Sequence, residues 1–233
     1  VTEAEGKALE VIRGTAEASH APLYVYGDDF STEELTSSMD AQTFLYRMGE
    51  KEMEVTIHLP GEHQILNGAA ALAAAEILRG KDGSIDEAAM LRGMDAARWP
   101  GRLERIHRNP DIILDGAHNP SGVTVLRKAL DEYYPGARRI YVFGMMADKD
   151  VSQVSEILFR PEDTIYTVLA HEGDRSEKTG ENWPGGSTRM RCPWMTWRGL
   201  PPGGTGKPVR RMVVIVCGSL YLIGTFKELG LDR

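Results

Sequence analysis

The chain has 233 residues, enough to bury one large core or two modest ones. Its formal net charge of −7 and isoelectric point near 5.4 argue against a general nucleic-acid binder, and a nucleotide would have to be met by local positive groups. No apolar run approaches membrane-spanning length, and the two cysteines, Cys192 and Cys217, lack metal-ligand spacing, a usage that fits a reducing cytoplasm without a disulfide framework.

Val1-Thr2-Glu3-Ala4-Glu5 has neither a basic region nor an apolar core, so it is not read as a signal peptide. Without an initiator Met, the chain reads as one that begins mid-protein. Residues 4–19 place Ala8, Leu9, Ile12, Ala16 and Ala18 at roughly helical spacing. Leu23-Tyr24-Val25-Tyr26 reads as a strand closed by Gly27-Asp28-Asp29. Phe44, Tyr46 and Met48, then Met53, Val55, Ile57 and Leu59, alternate with more polar neighbours, which predicts two half-buried, antiparallel strands.

After Leu59-Pro60-Gly61-Glu62-His63-Gln64, the residues Ile65, Leu66, Ala69, Leu72, Ala73 and Ile77 define one helical face, whose small members allow close packing. His63 reads as a helix-start hydrogen-bonding residue, because nothing is spaced to share a metal with it. Gly80-Lys81-Asp82-Gly83 breaks the chain, and a second helix over 85–97 turns Ile85, Ala88, Leu91 and Ala96 inward. Trp99-Pro100-Gly101 stops it, so the domain boundary is expected at 103–108, with residues 1–105 in one domain and 106–233 in the next.

The remaining chain alternates strand and helix, which predicts a parallel sheet with right-handed crossovers. Asp111-Ile112-Ile113-Leu114-Asp115 opens it as a buried strand, followed by a polar turn, Gly116-Ala117-His118. Asn119 and Pro120 then read as the N-cap and first position of a helix carrying Val123, Leu126 and Leu130. Asp115 and His118 thus stand at the carboxyl end of a strand, where ligands bind in open α/β sheets. Further strands are expected at Ile140–Phe143, Thr164–Leu169 and Met212–Cys217, with a helix between the first two carrying Val151, Val154, Ile157 and Leu158.

Residues 171–211 break this pattern: of 41 residues 8 are Gly and 5 are Pro, too many for the interior of a helix or strand. Three of the four tryptophans, Trp183, Trp194 and Trp197, crowd into this segment, and no acid appears between Glu181 and Glu228. The segment reads as translated out of frame with the frame restored near Met212, the alternative being a disordered insertion. Gly203-Gly204-Thr205-Gly206-Lys207-Pro208 mimics part of a phosphate-binding loop and fails: Pro201 stands at the first glycine position and Pro208 at the metal-binding hydroxyl.

Four phrases in order, Gly61-Glu62-His63-Gln64 through Asn67, Pro100-Gly101-Arg102-Leu103-Glu104, Asp115-Gly116-Ala117-His118-Asn119-Pro120 and Gly218-Ser219-Leu220-Tyr221-Leu222-Ile223-Gly224, together resemble the Mur ligase superfamily. Within it they look most like the folylpolyglutamate synthase/dihydrofolate synthase family, as does the Asp148-Lys149-Asp150 turn. The resemblance implies an α/β chain: part of a Mur-ligase-type central ATPase domain, then a Rossmann-like C-terminal domain with a mostly parallel sheet. It implies an ATP-dependent ligase adding L-glutamate to a folate or pteroate carboxylate through an acyl phosphate, acting as a cytoplasmic monomer. Mg²⁺ is implied too, its ligands and the phosphate-binding loop belonging to a region before residue 1, so the chain alone is expected to be inactive.

By the same resemblance Asn67, whose amide both donates and accepts, contacts the adenine edge. Arg102 offers a planar charged fork to phosphate oxygens, and Asp115 accepts from ribose hydroxyls. His118 is a further neighbour of the nucleotide or transferring phosphate, or else a capping residue of the turn. Arg102 and Asp115 have an alternative as a salt bridge in the domain linker. Lys149, Asp150 and Ser219 are candidates for binding the incoming glutamate, although Asp150 and Ser219 can equally begin helices. Two competing functions stay open: another Mur-type amide ligase, and a non-catalytic nucleotide-binding remnant. A dinucleotide-binding fingerprint is not one of them, since 115–120 lacks its glycines.

Overall fold

The structure, a computed structural model, describes residues 1–83, 85–146, 150–168 and 211–228. The segment read as out of frame therefore lies, apart from Arg211, outside the described residues, as does Lys149. The chain divides into two compact units, Val1–Arg98 and Trp99–Arg233.

The first unit begins with α1 (Gly6–Ala18), none of whose residues is buried; Leu9, Ile12 and Ala16 are half-buried and Val11 is 69% exposed. Three strands follow, β1 (Phe30–Ser37), β2 (Gln42–Met48) and β3 (Lys51–Ile57), paired antiparallel in the order β1-β2-β3. The alternation in β2 and β3 sends Phe44, Tyr46, Met53, Val55 and Ile57 to one face. There they pack with Ile65, Ala69, Leu72 and Ala73 of α2 (Glu62–Asp82) and Met90 of α3 (Glu87–Ala96). Of the face expected on α2, Leu66 and Ile77 are only half-buried. Asp86 caps α3 by accepting the Ala89 N–H.

Two details differ from expectation. Leu23–Tyr26 forms no extended strand, only isolated bridges from Val25 to Thr2 and from Tyr26 to Phe30. The Asp29 carboxylate takes the Val25 N–H at 2.7 Å and turns the chain there. Conversely, β1 was not expected. It is an edge strand exposed from Glu33 to Thr36 and irregular between Glu34 and Thr36, so it carries no apolar alternation to read.

The second unit holds a five-stranded sheet in the order β4-β5-β8-β6-β7: β4 (Glu104–His107), β5 (Asp111–Asp115), β6 (Arg138–Phe143), β7 (Thr164–Thr167) and β8 (Met212–Cys217). β5, β8, β6 and β7 are mutually parallel, as expected for a mostly parallel sheet, and β4 is antiparallel at the edge. β4 was not expected: its four residues are all half-buried and give no periodic signal. α4 (Pro120–Tyr133) and α5 (Val151–Leu158) connect the parallel strands, and α6 (Leu220–Glu228) follows β8. Ile112, Leu114, Ile140, Val142, Val214 and Val216 pack against Leu222, Ile223 and Phe226 of α6. The alternate residues Ile113, Tyr141 and Ile215 are buried on the opposite face, where Arg139 donates to the Leu130 carbonyl of α4. Burial on both faces explains why these strands read as continuous apolar runs.

Candidate active site

β5 ends at Asp115, which pairs with Cys217 at the end of β8, and Cys217 pairs with Phe143 at the end of β6. Three parallel strands thus deliver their following turns to one edge of the sheet, the edge at which α/β folds bind ligands. Gly218 permits their close approach. Its φ is 104°, and a Cβ there would stand 2.6 Å from the Gly144 carbonyl oxygen.

Asp115 is 7% exposed, and each of its carboxylate oxygens accepts one backbone N–H. Oδ1 accepts the Ala117 N–H at 2.8 Å and Oδ2 accepts the Leu103 N–H at 2.9 Å. Burial pushes its carboxyl above the ordinary value, and the two amides and the nearby Arg102 charge offset only part of that. The side chain therefore fastens the turn after β5 to the turn before β4.

That second turn, Gly101 to Glu104, is held at four points. The Gly116 N–H donates to the Gly101 carbonyl at 2.8 Å. The Gly101 N–H donates to Glu104 Oε2 at 2.6 Å. The Leu103 N–H goes to Asp115 as above, with Leu103 itself in the left-handed region at φ 45°. Lys227, in the last turn of α6, reaches the Glu104 carboxylate at 2.7 Å. Gly101 and Leu103 are buried, whereas Arg102 between them is exposed. A fixed backbone thus presents a permanently charged guanidinium to solvent.

His118 is half-buried and its Nδ1 donates to the Gly116 carbonyl at 2.8 Å, which leaves Nε2 as the ring nitrogen outside the turn. Asn119 caps α4 as expected, accepting the Gly122 N–H at 2.8 Å, with Pro120 in the first turn. The positive end of the α4 dipole therefore lies beside Asp115 and His118 in the chain.

Ser219 follows β8 on the same edge. It is 4% exposed, and its hydroxyl accepts the Tyr221 N–H at 3.2 Å, the geometry of a residue that begins a helix. Asp150 caps α5, accepting the Gln153 N–H at 3.0 Å. Asn67 belongs to the first unit, exposed in the second turn of α2, where its Nδ2 donates to Gln64 Oε1 at 3.1 Å. His63 lies within hydrogen-bond reach of Gln64 Nε2 at 3.0 Å, in keeping with a helix-start role.

The second unit brings Arg102, Asp115 and His118 to one sheet edge, with Ser219 after the neighbouring strand. Sequence reasoning missed Glu104 and Lys227. Glu104 stood in a phrase already singled out, and its place three residues after Gly101 was the available signal. Lys227 lies 123 residues from it, and no local pattern marks the pairing. Among the described residues no group of three or more His, Cys, Asp or Glu side chains is placed to hold a metal ion.

Residues 101–188 match the family model of the Mur ligase glutamate ligase domain. The chain is 36% identical over 154 residues to the dihydrofolate synthase/folylpolyglutamate synthase of Bacillus subtilis, covering 64% of this chain and 35% of that protein. It is 36% identical over 242 residues to a probable bifunctional folylpolyglutamate synthase/dihydropteroate synthase of Haloferax volcanii, covering 96% and 27%. The solved structure of Mycobacterium tuberculosis folylpolyglutamate synthase complexed with ADP superposes with a TM-score of 0.78 at 22% identity, over 97% of this chain and 53% of that one. The chain thus has this fold and spans about half, or less, of the length of these proteins.

Proposed function

We propose that this chain, a Mur ligase family member through its glutamate ligase domain, forms part of an ATP-dependent ligase. The enzyme joins L-glutamate to a folate or pteroate carboxylate, a reading supported by its likeness to proteins named folylpolyglutamate synthase and dihydrofolate synthase and to the Mur ligase glutamate ligase domain. Unit Val1–Arg98 is then the C-terminal part of the ATPase domain and unit Trp99–Arg233 the glutamate ligase domain. The observation that carries this reading is the exposed Arg102 on a turn fastened to Asp115.

In such a reaction the substrate carboxylate attacks the γ-phosphate of ATP, and the amine of glutamate then displaces phosphate from the acyl phosphate. The chief obstacle is bringing one anion to another. Arg102 supplies compensating charge to phosphate oxygens from a turn whose backbone is already held. Asp115 accepts from ribose hydroxyls on lone pairs its two amide partners leave over. His118 Nε2 stands near the nucleotide or the transferring phosphate. Asn67 reads the adenine edge with the N–H and carbonyl not given to Gln64. Lys149, Asp150 and Ser219 serve the incoming glutamate. The mycobacterial folylpolyglutamate synthase was solved as a complex with ADP, which supports a nucleotide in this role. The reaction class calls for Mg²⁺, and among the described residues no group of three or more His, Cys, Asp or Glu side chains is placed to hold it.

We further propose a cytoplasmic monomer that binds neither nucleic acid nor membrane. The net charge of −7 supports the first exclusion, and among the described residues no helix is long and apolar enough to cross a membrane.

The test is a fusion of this chain behind the phosphate-binding half of the Bacillus subtilis relative, assayed for folate-dependent phosphate release. We expect release that requires L-glutamate and is lost in the Arg102→Ala fusion. Turnover indifferent to glutamate, or unchanged by the substitution, would oppose the proposal. So would robust folate-dependent ATP turnover by the chain alone.

A further inference from the structure

We infer that Glu104 is a positioning residue for Arg102, and that Lys227 on α6 holds it in place. This inference rests on the nucleotide reading of Arg102 given above. One carboxylate oxygen of Glu104 receives the Gly101 N–H at 2.6 Å, immediately before Arg102 in the chain. The Lys227 ammonium stands 2.7 Å from both carboxylate oxygens, the one that holds Gly101 included. Both partners belong to the second unit, and the carboxylate is half-buried between them.

The physical case is one of pre-organisation. An exposed arginine on a mobile turn loses backbone freedom when it closes on a phosphate, and that loss subtracts from affinity. Here the turn has buried neighbours at Gly101 and Leu103 and is pinned on both sides of Arg102. Asp115 fixes the Leu103 side from the end of β5. Glu104 fixes the Gly101 side and transmits the position of α6 through Lys227. A lysine in the last helical turn also meets the negative end of the helix dipole, which favours this position for the anchor. The distance in sequence between Glu104 and Lys227 makes the C-terminal helix a structural part of the phosphate-facing turn, although no residue of α6 is proposed to touch phosphate.

The experiment is a double-mutant cycle on the full chain with ADP as the probe. Titration calorimetry is run on the wild type, Glu104→Ala, Arg102→Ala and the double variant, and 15N relaxation is measured at the Gly101 and Arg102 amides. We expect Glu104→Ala to weaken ADP roughly fivefold in the wild-type background and to have no further effect once Arg102 is gone. Lys227→Met should reproduce part of the loss and Lys227→Arg should restore it. An equal loss in both backgrounds means Glu104 acts on general stability and overturns the inference. So does a Glu104→Ala variant whose Gly101 and Arg102 amides stay as rigid as in the wild type. A wild type that ignores ADP while Glu104→Ala loosens the turn overturns the nucleotide reading and, with it, the ligand side of this inference, leaving the turn mechanics confirmed.

Discussion

The Leu103 amide donates to Asp115 Oδ2 at 2.9 Å, and Leu103 pays for that geometry by sitting at φ 45°. A non-glycine residue in the left-handed region costs on the order of 1 kcal/mol and persists only where its surroundings over-determine it. The surroundings here are the buried carboxylate, the Gly116–Gly101 hydrogen bond and the Glu104 clasp. All of them act to keep the backbone around Arg102 in one conformation.

Replacing Asp115 by Asn exchanges one carboxylate oxygen for an amide donor, so one of the two backbone N–H groups is left facing a donor. We expect a loss of about 1–3 kcal/mol in urea unfolding free energy, the usual penalty for a buried unsatisfied group. The Leu103 or Ala117 amide should exchange with solvent faster in the variant. An unchanged unfolding midpoint would show that the carboxylate is not the fastener.

Two glycines separate local strain from site geometry. Gly218→Ala places a Cβ 2.6 Å from the Gly144 oxygen at φ 104°, whereas Gly224→Ala meets nothing within 4 Å in the interior of α6. We expect Gly218→Ala to destabilise by about 2–4 kcal/mol and Gly224→Ala to be neutral or stabilising by up to about 1 kcal/mol. Paired thermal melts of the two variants check this.

The amino end of β5 carries a second buried carboxylate. Asp111 accepts the Tyr134 hydroxyl and an Arg211 N–H, each at 2.8 Å, with Arg105 at 3.6 Å. Burial works against its charge, but the Tyr134 hydroxyl and the two arginines outweigh it and hold the carboxyl below its ordinary value of 3.8. A depressed folded value means that Asp111 contributes stability above 3.8 and loses it as pH falls through the lower folded value. Asp111→Asn should lower stability at neutral pH by about 1–3 kcal/mol and flatten the acid limb of the stability profile. Urea midpoints measured from pH 6 down to the acid transition read both effects.

What could be read from the residues was mostly what is local. Asn119 and Pro120 announce a helix start by their own chemistry, and the structure has α4 beginning there. The apolar runs at Ile112–Leu114 and Met212–Cys217 announce strands buried on both faces, and β5 and β8 are such strands. Two of the four edge strands resisted reading: β1 and β4 expose or half-bury most of their residues, so their pairing comes from neighbours distant in sequence rather than from pattern, whereas the edge strands β3 and β7 carried enough apolar residues to be read. Leu23–Tyr26 erred the other way, an apolar run whose neighbours allow only two bridges. At the site, Arg102, Asp115 and His118 were legible as residue types in known phrases. What Asp115 does to Leu103, and Lys227 to Glu104, depends on tertiary contacts that no spacing encodes.

The most direct test of the nucleotide site is an ADP titration of the full chain followed by 1H–15N NMR. We expect saturable shifts at the Arg102, Gly116, Ala117 and His118 amides, and an affinity roughly tenfold weaker in Arg102→Ala. Shifts that never saturate, or that leave these four amides unmoved while others respond, would contradict a nucleotide site at the carboxyl end of β5.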